Sequence, residues 1–301
     1  MKLVQFEEKE YENALYSELR VGKNGHWAPG QVLEQYLGFD YGLMLGNPYL
    51  WDIHGVPSPL TGIAPFFELW PILRRQPPDR SRLPSFDLNC FVQAKRPWWS
   101  TYLSRKLAKL GLVKPYFKFL TDKEQQKCLE LVAQHLSDRA LFVYAAPVFG
   151  SSKDLFRHTT AGTIVENSTF PKTSILSGHQ AWYYSQPGAT GVVNPEFEPV
   201  QQPPLSELIE ELRRTRSRER ITESQSANLR SLADKLKAAI REEPTIVETA
   251  RAAYLSQEWN RIAEFERATN PPPAVTGFLE VDAFTRFYNL RWLVIDDTIS
   301  R

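Results

Sequence analysis

The chain has 301 residues, and its 36 basic and 35 acidic side chains leave a formal net charge of +1. This near-neutral total excludes a protein that is basic over its whole surface, and the 42% hydrophobic and 24% charged content excludes a wholly disordered chain. The length predicts one large domain or two smaller ones, with enough residues for a hydrophobic core.

The sequence carries no sign of export, disulfide bonding or membrane insertion. The first ten residues become acidic at once and contain no continuous apolar segment, so we expect no signal peptide. No segment reaches the roughly 18 uncharged apolar residues that a transmembrane helix needs. The two cysteines, Cys90 and Cys128, lie far apart and outside any zinc-binding spacing. We therefore expect a reduced, cytoplasmic protein without membrane contact.

The first quarter of the chain predicts short elements followed by an insertion. Residues 6–19 place apolar side chains at helical spacing among charged ones, which predicts an amphipathic helix. Residues 31–37 predict a second helix of two turns, and the apolar run 41–45 predicts a strand. Residues 48–84 are rich in proline and aromatic residues without a clean period, and we interpret them as an insertion.

The middle of the chain predicts a sheet covered by helices. Residues 86–95 alternate in polarity, which predicts a strand with one polar face. Residues 115–120 predict another strand, followed by a helix that a capping box of Thr121 and Glu124 begins. The continuous apolar run 140–146 is typical of a strand buried on both faces. This strand–helix–strand order predicts a crossover unit and a mixed α/β fold.

The last third of the chain changes character. Residues 186–204 are rich in proline and glycine and predict a loop or linker. Residues 205–268 carry twelve acids and twelve bases with leucines at helical spacing, which predicts helices, and 292–295 predicts a terminal strand. We therefore divide the chain into a domain of residues 1–200 and a mostly helical C-terminal module of residues 205–301. That module is a candidate surface for a homo-oligomer or a partner protein.

The neutral total hides a basic stretch. Residues 71–118 hold eleven basic side chains and two acidic ones, and aromatic rings lie among the bases. Such a stretch can neutralise phosphates and stack on bases, although its charges can also merely solvate an exposed edge. We predict that it binds nucleic acid through Arg96, Trp98, Trp99, Arg105, Lys106, Lys109, Lys114 and Lys118.

Three side chains in this part of the chain suggest metal-dependent chemistry. Gln93 and Lys95 share one strand face because residues two apart point to the same side, and Asp40 begins another predicted strand. Mg²⁺ prefers hard oxygen ligands, which Asp40 and Gln93 offer. An ion there would activate water for phosphodiester hydrolysis, and Lys95 would orient that water and stabilise developing negative charge.

Two segments resemble a known nuclease superfamily. Leu37-Gly38-Phe39-Asp40 is similar to the Gly-x-Asp element, and Phe91-Val92-Gln93-Ala94-Lys95-Arg96 to the Gln-x-Lys strand, of Mrr-type members of the PD-(D/E)xK superfamily. The resemblance covers residues 1 to about 150 and implies a restriction-endonuclease-like mixed sheet flanked by helices. It also implies DNA cleavage with Mg²⁺ or Mn²⁺ and a prokaryotic antiphage defence role. Glu34 corresponds to the helical glutamate of the first motif.

Several alternatives remain open from the residues alone. Asp87 lies on the strand face of Gln93 and is an alternative acid to Asp40, while Glu18 and Glu12 are alternatives to Glu34. The same basic stretch also fits a nucleic-acid-binding protein without catalysis. The charge-balanced helices also fit a scaffolding subunit of a multi-protein defence complex.

Overall fold

The computed structural model describes residues 1–19, 88–137, 139–188, 190–217, 225–242, 246, 249–271 and 273–295. The strands are β1 (Lys2–Leu3), β2 (Leu88–Ala94), β3 (Trp98–Ser100), β4 (Tyr116–Leu120), β5 (Ala140–Pro147), β6 (Ser168–Thr169), β7 (Ala181–Tyr184), β8 (Gly191–Asn194), β9 (Glu198–Val200) and β10 (Arg291–Ile295). The helices are α1 (Glu8–Leu19), α2 (Arg105–Lys109), α3 (Lys123–His135), α4 (Ser152–Ala161), α5 (Leu205–Ser217), α6 (Gln225–Glu242), α7 (Ala250–Thr269) and α8 (Pro273–Phe287), with a 3₁₀ helix at Thr173–Leu176. The predicted elements at 31–37 and 41–45 and the predicted insertion at 48–84 lie outside the described residues.

A four-stranded mixed sheet forms the centre of the fold. Its strand order is β10-β2-β5-β6, with β2 parallel to β5 and the two outer pairings antiparallel. Every residue of β2 and β5 is buried, as expected for strands covered on both faces. The predictions of a mixed α/β fold, of a buried strand near 140–146 and of a terminal strand are confirmed.

Each face of this sheet carries its own core. Val92 and Ala94 of β2 pack on the side of α1 and α5. Phe91 points to the opposite side, where it stacks between Phe142 and Trp292 at ring-centroid distances of 4.6 and 6.3 Å. The helices α3, α6 and α8 complete the core on that side. The face predicted to be polar is therefore buried, because apolar and aromatic neighbours enclose its polar side chains.

A second sheet is six-stranded and antiparallel, in the order β1-β3-β4-β7-β8-β9. Its inner face contributes large aromatic side chains, including the fully buried Trp182, to the core shared with the first sheet. Gly191 on β8 gives the indole the space it needs, since a Cβ at that position would lie 2.0 Å from the Trp182 ring. Its outer face packs a smaller apolar cluster against Leu107 of α2.

Two predictions about connections are wrong. The segments 115–120 and 140–146 were predicted as neighbours in one crossover unit, but β4 pairs with β3 and β7, whereas β5 pairs with β2. The burial pattern agrees with this difference: β4 has more open positions at Lys118 and Leu120, as in a sheet that is partly exposed on one face, while β5 is buried throughout. Residues 186–204 were predicted as a loop, yet they contain the strands β8 and β9.

The start of α3 differs from the predicted capping box. Asp122 is the N-cap, and its carboxylate accepts a hydrogen bond from the backbone nitrogen of Gln125 at 2.8 Å. Thr121 instead donates its hydroxyl to the carbonyl of His179 at 3.2 Å. The shift of one residue places the Asp122 carboxylate at the helix N-terminus, where the helix dipole stabilises negative charge.

The C-terminal segment belongs to the central core as well as to the surface. The antiparallel strand β10 forms one edge of the mixed sheet next to β2. Helices α6 and α8 bury apolar side chains in the core that contains Phe91. At their contact, Lys237 of α6 forms an ion pair of 2.8 Å with the buried Glu280 of α8. Among the described helices, none combines the length and the apolar character needed to cross a bilayer.

Candidate active site and nucleic-acid interface

The carboxyl end of β2 brings Gln93 and Lys95 together. Gln93 lies opposite Tyr144 of β5, and the backbone nitrogen of Lys95 donates to the carbonyl of Ala145 at 2.8 Å. The parallel pairing therefore continues past the last residue of β2 and fixes the backbone of both Gln93 and Lys95. The predicted juxtaposition of the two on one strand face follows from this regular geometry.

Two buried amides on this face of β2 have different surroundings. The Asn89 side chain donates to the carbonyl of Arg139 at 3.2 Å and accepts from the indole nitrogen of Trp292 at 2.9 Å. Gln93 is 3% exposed, yet its Oε1 accepts no hydrogen bond from any described residue. A buried carbonyl without a donor is costly, so such an atom points to a partner that the described residues do not supply.

Lys95 follows Gln93 by two residues on the same strand face and is partly buried. Its Nζ lies 5.2 Å from the centroid of the Tyr144 ring. Burial lowers the pKa of Lys95, the carboxylates of Glu8 and Asp122 raise it, and the Arg251 guanidinium lowers it further. Within the described ranges, no carboxylate forms an ion pair with Lys95 within 4.0 Å. A partly buried lysine with a lowered pKa, on the same strand face as an unsatisfied buried acceptor, is typical of a functional site.

Glu8, in the first turn of α1, is a site residue that the sequence interpretation missed. Its carboxylate accepts a hydrogen bond from the backbone nitrogen of Arg96 at 3.2 Å, which places it next to Lys95. Burial raises the pKa of this carboxyl group, while Lys95 lowers it. The only signal in the sequence was its spacing of four residues before Glu12, which puts both on one face of a helix.

The two alternative helix acids have other partners. Glu12 is buried and forms ion pairs with Lys9 at 2.8 Å and with Arg291 of β10 at 3.5 Å. The Glu18 carboxylate accepts backbone hydrogen bonds from residues 164 and 165 at 2.5 and 3.0 Å, and so holds the segment after α4. Of the acids on α1, Glu8 is the one whose charge acts on the Lys95 ammonium.

The predicted acids Asp40, Glu34 and Asp87 lie outside the described residues. In the described part of the chain, no group of three or more His, Cys, Asp or Glu side chains is arranged to hold a metal ion. The free Oε1 of Gln93 is, however, a hard oxygen of the type that Mg²⁺ binds. The roles of Gln93 and of Asp40 as metal ligands both stay predictions.

The predicted basic interface divides into two parts. The first follows β2 directly and is structural: Arg96 forms an ion pair with Glu7 at 2.7 Å and donates to the carbonyl of Val4 at 3.1 Å. Trp99 packs against both large cores, and Trp98 is partly buried beside it on β3. Arg96 thus links the N-terminal segment to the end of β2, and Trp99 packs β3 against both cores.

The second part of the interface is exposed. Arg105, Lys106 and Lys109 project from α2 into solvent, and Lys114 is exposed on the loop that follows. On the outer face of the antiparallel sheet, Lys106 lies 4.2 Å from the Phe197 ring centroid and Lys118 lies 5.4 Å from that of Tyr183. Tyr102, before α2, is 79% exposed.

No ion pair with a described carboxylate neutralises the cations of this surface. No carboxylate in the described ranges forms an ion pair with Arg105, Lys106, Lys109, Lys114 or Lys118. Cations without acidic partners, with aromatic rings between them, make a surface that can hold phosphates and stack bases. We name this surface, from Tyr102 to Lys118, the basic face.

No family model, curated protein or solved structure matches the chain. Two features bear on function: the end of β2, where Gln93 and Lys95 share a strand face and Glu8 acts on the charge of Lys95, and the basic face.

Proposed function

We propose that the protein is a metal-dependent nuclease that hydrolyses phosphodiester bonds of DNA with Mg²⁺ or Mn²⁺. In this proposal it is a PD-(D/E)xK enzyme of the Mrr type with a restriction-endonuclease-like core, and it acts as an antiphage defence effector in the cytoplasm of a prokaryote. The observation that carries the proposal is the buried carbonyl of Gln93, which accepts no hydrogen bond from a described residue and stands on the same strand face as Lys95.

The topology around this centre supports the proposal. β2 carries Gln93 and then Lys95, it is parallel to β5, and α3 lies between the two strands in the chain. On the other side of the sheet, α1 packs against β2 and carries Glu8 and Glu12. A Gln-x-Lys strand in a mixed sheet, with an acid-bearing helix beside it, agrees with what the sequence resemblance implies.

The chain's own residues can perform the remaining tasks of phosphodiester hydrolysis. Asp40 and Gln93 would hold the divalent ion, which when bound polarises a phosphoryl oxygen and lowers the pKa of water. The Lys95 ammonium has three N–H donors, and it would orient the attacking water and stabilise the developing charge. The Tyr144 ring beneath it holds the ammonium in place by a cation–π contact.

The basic face would hold the DNA during this reaction. Its five cations, on α2, on the loop after it and on β4, have no acidic partner in the described ranges and offer contacts to phosphates that depend on charge and not on sequence. Such contacts position a duplex or strand, and they give affinity that decreases with salt. Binding is thereby separable from catalysis, because the two depend on different side chains.

The test is incubation of the purified full chain with plasmid DNA and Mg²⁺, with EDTA as the metal-free control. We expect nicked and linear products from the unaltered chain, and none with EDTA or from the Lys95→Ala variant. The Lys95→Ala variant should still bind labelled DNA as the unaltered chain does. Cleavage that survives Lys95→Ala, or that does not need a divalent ion, would refute this centre, and cleavage that survives Asp40→Ala would refute that ligand.

A second candidate function is nucleic-acid binding without catalysis. It is favoured by the cations and rings of the basic face, which need no contribution from Gln93 or Lys95. In that case, DNA would bind without being cleaved with Mg²⁺ or Mn²⁺, and Lys95→Ala would have no effect on any activity. A scaffolding role through residues 205–268 is less favoured, because α6 buries its apolar side chains in the core of its own chain.

A further inference from the structure

A row of side chains crosses the outer face of the antiparallel sheet. Trp98 of β3 lies opposite Lys118 of β4, which in turn lies opposite Tyr183 of β7. Directly opposite residues on neighbouring strands point to the same face of a sheet. Tyr183 belongs to the outer apolar cluster, so Trp98 and Lys118 lie on the outer face as well. Trp99, the next residue of β3, points inward to the two large cores.

The aromatic rings on this outer face are of two kinds. Tyr116 and Tyr183 are buried and stack on each other at a ring-centroid distance of 6.4 Å, and the Lys118 ammonium lies over the Tyr183 ring. These two rings therefore pack the face and hold a cation. Trp98, by contrast, is only partly buried, and Tyr102 is 79% exposed. In the described ranges, neither of them stacks on another aromatic ring or has a cation over its face.

Ser100 connects the two open rings. It lies two residues after Trp98 on β3, so both side chains point to the outer face. Its hydroxyl accepts a hydrogen bond from the backbone nitrogen of Tyr102 at 3.1 Å and donates to the carbonyl of Tyr102 at 3.2 Å. The exposed Tyr102 ring thus stands on a fixed backbone next to this face. A fixed backbone lowers the ordering cost of a contact with a ligand.

An unpaired nucleic-acid strand has the chemistry that fits rings and cations in this arrangement. Its phosphates can contact the cations of the basic face, and its bases offer flat faces that stack on aromatic rings. In a duplex the bases already stack on one another, so a duplex can use the cations but not the rings. The chain runs from Lys95 to Trp98 in three residues, which span at most about 11 Å, so this surface begins near the end of β2.

We infer that Trp98 and the basic face form a binding surface for an unpaired DNA strand, with bases stacked on Trp98 and Tyr102 and phosphates held by the neighbouring cations. The surface itself rests on the two open rings and on Lys118 in the same row. That the bound strand is DNA, and the substrate of the enzyme, rests on the proposed nuclease function. The inference requires a preference for unpaired over paired DNA, which a surface of charges alone does not give.

The test compares an unpaired strand with a duplex, using the full chain in EDTA so that cleavage plays no part. Labelled oligothymidylate, alone and annealed to oligodeoxyadenylate, is titrated by fluorescence anisotropy at several salt concentrations. We expect the unaltered chain to bind the strand more tightly than the duplex. Tyr102→Ala should weaken strand binding by about fivefold to 150-fold, the range for the loss of one stacked base, and should lower the ratio of strand to duplex affinity.

Three comparisons separate stacking from a change of charge or fold. Tyr102→Phe keeps the ring and should keep the strand affinity. Stacking does not neutralise phosphates, so Tyr102→Ala should leave the slope of log affinity against log salt unchanged. Tyr254→Ala is the matched control, since Tyr254 is 62% exposed on α7, and it should change neither the strand affinity nor the slope.

Circular dichroism shows whether each variant is folded. Trp98→Leu, which removes the second open ring, should also weaken strand binding and provides an independent variant. Equal affinity of the unaltered chain for strand and duplex, no measurable strand binding, or full strand affinity in folded Tyr102→Ala would overturn the inference. Tighter binding of oligouridylate than of oligothymidylate would overturn the assignment of the ligand as DNA.

Cleavage assays with Mg²⁺ on the same proteins separate the two proposals. If the unaltered chain cleaves DNA but binds strand and duplex equally, the nuclease stands and the surface for an unpaired strand falls. If strand binding depends on Tyr102 but the chain cleaves neither single-stranded nor double-stranded DNA, that surface stands and the nuclease falls.

Discussion

Replacing Gln93 with methionine should make the protein more stable and, at the same time, inactive. Methionine has a similar length and volume, so it fills the same space without leaving a cavity. It removes a buried carbonyl that no described residue satisfies. An unsatisfied buried polar group costs about 1–3 kcal/mol, so we expect the free energy of unfolding to rise by about 1–3 kcal/mol in Gln93→Met.

Asn89→Leu is the matched control on the same face of β2. It removes an amide whose two hydrogen bonds, to the Arg139 carbonyl and from the Trp292 indole, are both made. The change removes two hydrogen bonds, each worth about 0.5–1.5 kcal/mol, so we expect the free energy of unfolding to fall by about 1–3 kcal/mol. The two amide replacements should therefore change stability in opposite directions.

Urea unfolding in EDTA, followed by tryptophan fluorescence, measures both changes. The midpoint should rise for Gln93→Met and fall for Asn89→Leu, with similar slopes. A plasmid assay with Mg²⁺ on the same preparations should show no cleavage by Gln93→Met. If Gln93→Met instead destabilises the protein as Asn89→Leu does, the Gln93 carbonyl has a partner in the folded chain, and its assignment to an external ligand is wrong.

Two further predictions concern the basic face and the buried thiols. The double variant Lys106→Ala with Lys118→Ala should weaken DNA binding, measured by fluorescence anisotropy. It should also reduce the slope of log affinity against log salt by about 0.9 for each phosphate that the protein no longer neutralises. The control variant Lys153→Ala, which replaces an exposed lysine of α4, should change neither the affinity nor the slope. Burial raises the pKa of Cys90 and of Cys128 from 9.0 to about 12, so both thiols should resist Ellman's reagent at pH 8 until the chain is denatured. Because the pKa of each thiol is higher in the folded than in the unfolded chain, each thiol's contribution to the free energy of unfolding is complete below about pH 9 and is lost as the pH rises towards about 12. In Cys128→Ala, the free energy of unfolding should decrease less steeply over this pH range. An unchanged salt slope in the double lysine variant would contradict the first prediction. Reaction of Cys128 at pH 8 in the folded protein would contradict the second.

The strands whose patterns are simple could be predicted from the sequence. The uniformly apolar run at 140–146 is β5, and the alternating run up to Lys95 contains β2. The hairpin of β8 and β9 was missed because prolines were interpreted as loop residues. Pro199 lies on β9, which pairs only with β8 among the described strands, and an edge strand tolerates a residue that cannot donate to the ladder.

Pairing between distant segments could not be predicted. The segment 115–120 was correctly predicted as a strand, but its place in the antiparallel sheet depends on β3 and β7, which a local pattern does not reveal. The same holds for β10, since its partner β2 lies about two hundred residues earlier in the chain.

The candidate site shows the same division between local and distant information. Gln93 and Lys95 could be placed on one face because their spacing is local. Glu8 could not be assigned, because its carboxylate meets the backbone next to Lys95 only after α1 has packed against β2. The roles of Asp40 and Glu34 stay predictions from the resemblance.

The most direct test of a metal-dependent centre at the end of β2 is a titration of the isotope-labelled full chain with Mn²⁺, followed by NMR. Paramagnetic broadening falls steeply with distance from the ion, so it locates the ion without depending on activity. We expect the side-chain amide of Gln93 and the backbone amide of Lys95 to broaden first, and Gln93→Met to weaken the broadening at Lys95. Broadening that begins elsewhere and leaves the Gln93 amide sharp would contradict a metal-dependent centre at this end of β2.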